Sequence, residues 1–261
     1  MKTGRSPLKQ PPLHNPGESL VEQRFDLMFD QILPHLLAAI MFIILSGYVW
    51  AIQLGWIPVR AEAVTVITIG WCIYTFWKFK KVMKQVRLMN RGLAAEKAVG
   101  QFLEQFRAKS YAVFHDSPVE TGDKKFNIDH LLVGPKGLFT IETKYRKKPL
   151  SGECKVKYDG TQISINGQAP NRDPIAQALG QASWVQDYLK SCTALASVPV
   201  TPLVVFPGWY VDYLQAGNAK VKVTNEQLIW ACIQSSPHQL APHDAKLIES
   251  RLTDYIQRKT S

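Results

Sequence analysis

The stretch that decides the fold is Phe126-Asn127-Ile128-Asp129-His130-Leu131-Leu132-Val133-Gly134-Pro135-Lys136-Gly137-Leu138-Phe139-Thr140-Ile141-Glu142-Thr143-Lys144. Two apolar runs are joined by Gly-Pro-Lys-Gly, which predicts a β-hairpin. Asp129 lies inside the first run, and Glu142 and Lys144 lie inside the second. Their spacing of two puts Glu142 and Lys144 on one strand face. The loop leaves two registers open. A two-residue Pro135-Lys136 loop pairs Gly134 with Gly137 and sets Asp129 opposite Glu142. A three-residue loop with Gly137 in a left-handed bulge slips the pairing by one and sets Asp129 opposite Thr143. The carboxylates then meet only through a further bulge or a strong twist. The bland reading is a solvated hairpin with scattered charges. Against it stand two carboxylates embedded in adjoining apolar strands.

The surrounding chain has 261 residues and a formal net charge of +10. Residues 1–89 hold 10 basic and 5 acidic side chains, and residues 90–261 hold 21 and 16, so each part carries +5. Half the excess thus falls beside apolar segments, and the overall charge overstates the case for nucleic acid. Cys72, Cys154, Cys192 and Cys232 are far apart and show neither metal-ligand spacing nor a disulfide framework, which fits a reducing compartment. No HxH or HExxH spacing occurs, so each histidine reads as incidental.

Residues 1–30 read as a disordered tail ending in an amphipathic piece around Leu20–Phe29. A cleaved signal peptide is not expected, because the apolar segment starts too late. Residues 31–79 form the expected two-helix membrane anchor. Leu33–Leu54 is long enough to span a bilayer. Ala63–Trp77 is shorter, with aromatic ends suited to the interface. The alternative is a buried helical hairpin in a soluble protein. Lys78, Lys80, Lys81, Lys84, Arg87 and Arg91 follow the second run, whereas the loop between the runs holds Arg60. The positive-inside rule then places both termini in the cytoplasm. Residues 80–91 make a basic juxtamembrane helix suited to anionic lipid.

Leu93–Lys109 is expected to be an amphipathic helix with Val99, Phe102, Leu103 and Phe106 as its stripe. Glu96 falls on that stripe, where a carboxylate needs a partner or a metal. It equally suits the first turn of a helix, where the dipole favours it. Tyr111–Asp116 reads as a short strand. Arg146, Lys147, Lys148, Lys155 and Lys157 follow the hairpin and suit phosphate contacts, or else protect an exposed edge. Val156–Ile165 looks like a second hairpin turning at Asp159-Gly160. Asp173-Pro174 starts a helix to about Leu189 that sets Gln177 and Gln181 one turn apart. Val198–Phe206 is an apolar strand. Thr224–Gln227 resembles a capping box for a helix to about Gln234, and a last helix spans His243–Arg258.

Several of these pieces occur in one order: Arg91-Gly-Leu-Ala-Ala-Glu96, Phe114-His115-Asp116, Asn127-Ile-Asp129-His130, Val133-Gly-Pro-Lys-Gly-Leu-Phe-Thr-Ile-Glu142-Thr-Lys144 and Asn171-Arg-Asp-Pro174-Ile-Ala-Gln177-Ala. The order resembles the nuclease-related domain, NERD, a branch of the PD-(D/E)xK nucleases, over roughly Gly92–Phe206. The resemblance implies an α/β, restriction-endonuclease-like core, a mixed sheet flanked by helices, here preceded by two transmembrane helices. It implies Glu96 as the helix acid, Asp129 and Glu142 as metal-binding acids, Lys144 as catalytic lysine and Gln177 as the helix glutamine near the site. Where the family often has Gly before the helix acid, this chain has Ala95.

The expected boundaries are the anchor and juxtamembrane helix given above, a nuclease-like domain over 92–210 and a helical extension over 211–261. The expected function is Mg²⁺- or Mn²⁺-dependent phosphodiester hydrolysis of nucleic acid, DNA foremost, at the cytoplasmic face of the inner membrane. Its expected partners are nucleic acid, DNA foremost, the lipid bilayer and membrane-protein partners. The rival reading is a membrane-tethered nucleic-acid-binding or assembly module that keeps the fold without catalysis.

Overall fold

The computed structural model describes residues 15–54, 61–122, 124–149, 154–170, 172–195, 198–213 and 219–260. The chain divides into two compact units. One covers Ser19–Arg91, and the other joins Gly92–Ser261 with the first eighteen residues.

In the helical unit, α1 (Glu18–Gln31) is followed by α2 (Leu33–Gln53), with a proline in the first turn of α2 where its missing N–H costs nothing. The amphipathic piece expected near Leu20–Phe29 is α1. The loop expected between the two apolar runs lies largely outside the described residues. Next comes α3 (Ala61–Glu104), one continuous helix of 44 residues. The sequence suggests separate helices over 80–91 and 93–109. A single interior glycine, Gly92, costs only about 1 kcal/mol, and its neighbours are good helix formers, so the helix runs through. Ile32, Val82 and Val86 form a small core with Leu27.

Among the described residues one stretch is long and apolar enough to cross a membrane, within Glu18–Gln53. Only 11% of its apolar window is buried, which sets it apart from the core helix of a soluble protein. The second apolar run is helical within α3 but falls short of that standard of length and composition, so a two-helix transmembrane hairpin is not shown. Both runs nonetheless expose large apolar side chains, Leu37, Ile40 and Ile44 on α2 and Val66, Ile69 and Trp77 on α3.

The second unit is α/β. Strands β1 (Ala112–Thr121), β2 (Lys124–Gly134) and β3 (Gly137–Thr143) form an antiparallel meander. A small hairpin follows, β4 (Lys155–Tyr158) and β5 (Ile163–Ile165), as its Asp-Gly turn foretold. Helix α4 (Pro174–Cys192) opens on Asp173, whose carboxylate accepts the Ile175 N–H at 2.9 Å, with Pro174 at the first helical position. It crosses over to β6 (Val200–Val205), which lies parallel to β3. Then come β7 (Tyr210–Tyr213), β8 (Lys222–Thr224), α5 (Ile229–Gln234) and α6 (Pro242–Thr260). The main sheet runs β1-β2-β3-β6-β8, and a second sheet runs β5-β4-β7.

Residues 211–261 are therefore more than a helical extension: β8 is the fifth strand of the main sheet, and β7 completes the second. Three residues of strand are too few for a pattern to reveal. The expected capping box is also shifted by one. Asn225, not Thr224, is the cap, and its side chain accepts the N–H groups of Gln227 and Leu228.

One face of the main sheet is covered by the end of α3 and by α5, burying Val99, Leu103, Phe106, Leu132, Phe139 and Ile141. The other is covered by α4 and α6, burying Leu131, Val133, Leu138, Val185, Leu189 and Ile248. The first of the two registers holds, with Gly134 opposite Gly137. Gly137 has φ +108°, and a methyl group on Gly134 would meet the Tyr111 ring at 2.3 Å, so both glycines are required.

Candidate active site

The site lies where the meander breaks. The ladder pairs His115 with His130 and Ser117 with Ile128, and on the other side His130 with Ile141. Asp116, Asp129 and Glu142 are the register mates of the next row, and the ladder skips the pairings among these three, although Glu142 pairs with Val204 of β6. Side-chain alternation reverses there. In β1, Val113 faces α3 whereas Val119 faces α4 and α6; in β2, Leu132 faces α3 whereas Ile128 faces α4 and α6. Asp116 takes a left-handed φ of +44°, the backbone form of this reversal. Asp129 fills the gap with its side chain: Oδ2 accepts the Thr143 N–H at 2.7 Å.

Glu142 is buried, and both its oxygens are engaged. Lys144 Nζ lies 2.5 Å from Oε1, and Gln181 Nε2 donates to Oε2 at 2.6 Å. Lys144 also donates to Gln177 Oε1 at 2.8 Å. Its own backbone N–H reaches Val205 O, which extends the parallel pairing past the end of β3. Gln181 reaches Asn127 O at 3.4 Å, and Asn127 Nδ2 donates to Asp116 Oδ1 at 2.7 Å. A polar network therefore runs Asp116–Asn127–Gln181–Glu142–Lys144–Gln177 across three strands and one helix.

Glu96 completes the group from α3. Burial, with the Asp116 and Glu142 carboxylates adding, pushes its carboxyl up to about 8, and Lys144 opposes. Burial, Glu142 and Glu96 push Asp129 well above the ordinary carboxylate range, opposed by the Thr143 N–H and Lys144. Glu96 and Asp129 each keep an edge open to solvent. Among the described residues, Lys144 is the one cation acting on this pair. The five residues Glu96, Asp129, Glu142, Lys144 and Gln177 are thus brought together. Asp116 and Gln181 join them and were not assigned to the site from sequence. The phase of α4 placed Gln181 one turn from Gln177. Asp116 gave no signal, because its role depends on the break in alternation.

Four buried polar atoms around the row have no partner in the structure: Ser117 Oγ, Thr140 Oγ1, Thr143 Oγ1 and Gln181 Oε1. Orphaned buried groups call for water or an ion. The donors are hard oxygens, the chemistry of Mg²⁺ or Mn²⁺. No group of three His, Cys, Asp or Glu converges on one point among the described residues. The donor set therefore fits such a cation in charge and chemistry, while its shell is not assembled.

Two histidines are not incidental. His115 and His130 meet through Nδ1 at 2.9 Å in the interior, and His115 Nε2 lies 2.7 Å from Glu104 Oε1. Burial lowers both pKa values, most strongly for His130. With neutral rings, a proton on His115 Nε2 for Glu104 makes His115 Nδ1 the acceptor and His130 Nδ1–H the donor. His130 Nε2 is then a bare acceptor, and it has no partner. The pair clamps the last ladder row before the carboxylates.

Arg146, Lys147 and Lys148 are on the chain leaving β3, where Trp209 Nε1 donates to Arg146 O at 3.2 Å. Lys155 and Lys157 are on the second sheet, opposite Tyr210 and Asp212.

Residues 91–207 match the family model described as NERD, nuclease-related domain. Over that segment the chain is similar to nuclease-related domains. No curated protein matches the chain. Among solved structures, a protein of unknown function, AF1548, aligns at 9% identity and TM-score 0.31 over 63% of this chain and 99% of that one. VC1899 from Vibrio cholerae aligns at 10% identity and TM-score 0.31 over 94% of this chain and 58% of that one. Similarity at that level carries no argument.

Proposed function

We propose that the chain is a membrane-anchored nuclease that hydrolyses phosphodiester bonds, DNA foremost, with Mg²⁺ or Mn²⁺ at the cytoplasmic face. One observation carries this reading: among the described residues, Lys144 is the ammonium that bears on the buried carboxyls of Glu96 and Asp129, with Asp116 and Glu142 crowded beside them. Such a site lacks positive charge, and a divalent cation supplies it. Glu96, Asp129 and Glu142 would hold the ion, which when bound neutralises charge on the scissile phosphate. Lys144, steadied by Gln177, orients the attacking water. Gln181 fixes Glu142, and its orphaned Oε1 turns toward the site if the amide flips. Arg146, Lys147, Lys148, Lys155 and Lys157 are the proposed phosphate contacts. The exposed apolar faces of α2 and α3 support a two-span anchor with both termini inside.

The test is cleavage of supercoiled plasmid, linear DNA and RNA by the full chain in detergent, with Mg²⁺, Mn²⁺ or EDTA. Metal-dependent nicking supports the reading; intact nucleic acid under every condition removes it. The second reading is a non-catalytic tether for nucleic acid or membrane partners. It is favoured by the two occupied oxygens of Glu142, which leave no ready place for an ion.

A further inference from the structure

The turn Asn15-Pro16-Gly17-Glu18 packs on the helix face that carries Glu96. Pro16 stands second and Gly17 third, with φ +72° at Gly17, and the Glu18 N–H reaches Asn15 O at 3.2 Å. That is the signature of a type II turn. Glu18 Oε2 accepts the Asn15 N–H at 3.0 Å and closes the turn. Residues 1–30 are therefore not wholly a tail, although 1–14 lie outside the described residues.

Two glycines bring the turn and helix together. A methyl group on Gly17 would fall 2.2 Å from Leu93 Cδ1 and 3.1 Å from Glu96 Oε2. A methyl group on Gly100 would fall 2.5 and 2.9 Å from the Pro16 ring. Leu93, Glu96 and Gly100 lie three and four residues apart, so they form one stripe of α3. Gly17 is buried on that stripe. Its backbone thus stands within a methyl group's reach of the Glu96 carboxylate, with no room between them for a side chain.

We propose that the Asn15–Glu18 turn is an autoinhibitory cap, occupying the approach to Glu96 Oε2 so that the site takes up its cation fully only when the turn lifts away. This rests on the cation-dependent reading above. A plain fastening would need the leucine and the proline but no contact with the carboxylate. Here the backbone of the turn also comes within a methyl group's reach of Glu96, the acid that α3 brings to the row of carboxylates.

Mn²⁺ binding to the full chain in detergent, followed by electron paramagnetic resonance, tests the cap without reference to cleavage. Gly17→Val drives a side chain into Leu93 and Glu96, and deletion of residues 1–17 removes the turn. Gly122→Val is the control, since Gly122 has φ +55° with open space around it. The expected result is at least ~10-fold tighter Mn²⁺ binding in both turn variants and none in the control, the size of shift that frees a mostly covered site. Unchanged affinity in both variants overturns the cap. So does tightening in the deletion alone, which would assign the effect to the basic residues lost with it. No Mn²⁺ binding by any form overturns the cation reading itself, and the cap with it.

Discussion

Asp129 and Glu142 differ in how the fold holds them, and the difference sets what their neutral variants do. Asp129 Oδ2 stands in for a strand carbonyl toward Thr143, and the oxygen of an asparagine can do the same. Glu142→Gln keeps an acceptor for Lys144, and a flip of Gln181 offers its orphaned Oε1 to the new amide. Asp129→Asn and Glu142→Gln should therefore abolish cleavage, by at least ~10³-fold, and leave the cation-free melting temperature unchanged or raised. A plasmid-nicking assay beside a thermal melt checks both halves, and full activity in either variant removes the role given to that residue. Glu96 makes a pH prediction. Its carboxyl keeps the proton up to about 8 when folded but releases it near the ordinary 4.5 when unfolded. Across that window the folded state binds more protons, so stability falls as pH rises. Glu96→Gln should flatten that slope, which amounts to on the order of a few kcal/mol over the whole window. Thermal melts in EDTA between pH 5 and about 8 measure it, and an unchanged slope would place the proton elsewhere.

At the scale of elements, the β2–β3 hairpin was legible because its turn chemistry and its two apolar runs agree. Asp173-Pro174 announced α4 for the same reason. What escaped was non-local. The reversal of alternation at Asp116 and Asp129 follows from three strands meeting, and no single run encodes it. The histidine pair needs two strands in register before either ring has a partner. Contact and exposure separate Lys144 from its basic neighbours. Lys144 touches Glu142 and Gln177, whereas Lys147 and Lys148 are exposed beyond β3. Lys144→Ala should lower the saturated cleavage rate with little change in DNA affinity. Lys147→Ala with Lys148→Ala should weaken binding, flatten its salt slope by up to about two counterions and leave the saturated rate intact. Rate and binding measurements across a salt series separate them. Loss of affinity alone in both would make Lys144 one more surface cation.

For the whole molecule, charge and apolar runs predict orientation even where one span alone meets the full standard of length and composition. A reporter fused at Ser261 should report from the cytoplasm, and a cysteine in place of Gly55 should be labelled from outside. A reporter found outside would reverse the orientation. The order of the main sheet bears on how the chain assembles. Strands β1, β2 and β3 are neighbours in sequence, whereas β6 and β8 join through long connections, and local contacts form first. That order predicts that the row Asp116–Asp129–Glu142 comes together before α4 delivers Gln177 and Gln181, so that its mutual repulsion falls on the folding step rather than on unfolding. Refolding in stopped flow should accelerate when acid or Mn²⁺ quenches that repulsion, with the unfolding rate little altered. The same charges proposed to hold a catalytic ion would then make the ion an aid to folding, so that the chain's supply of divalent cation governs how fast it reaches its native state as well as what it does there.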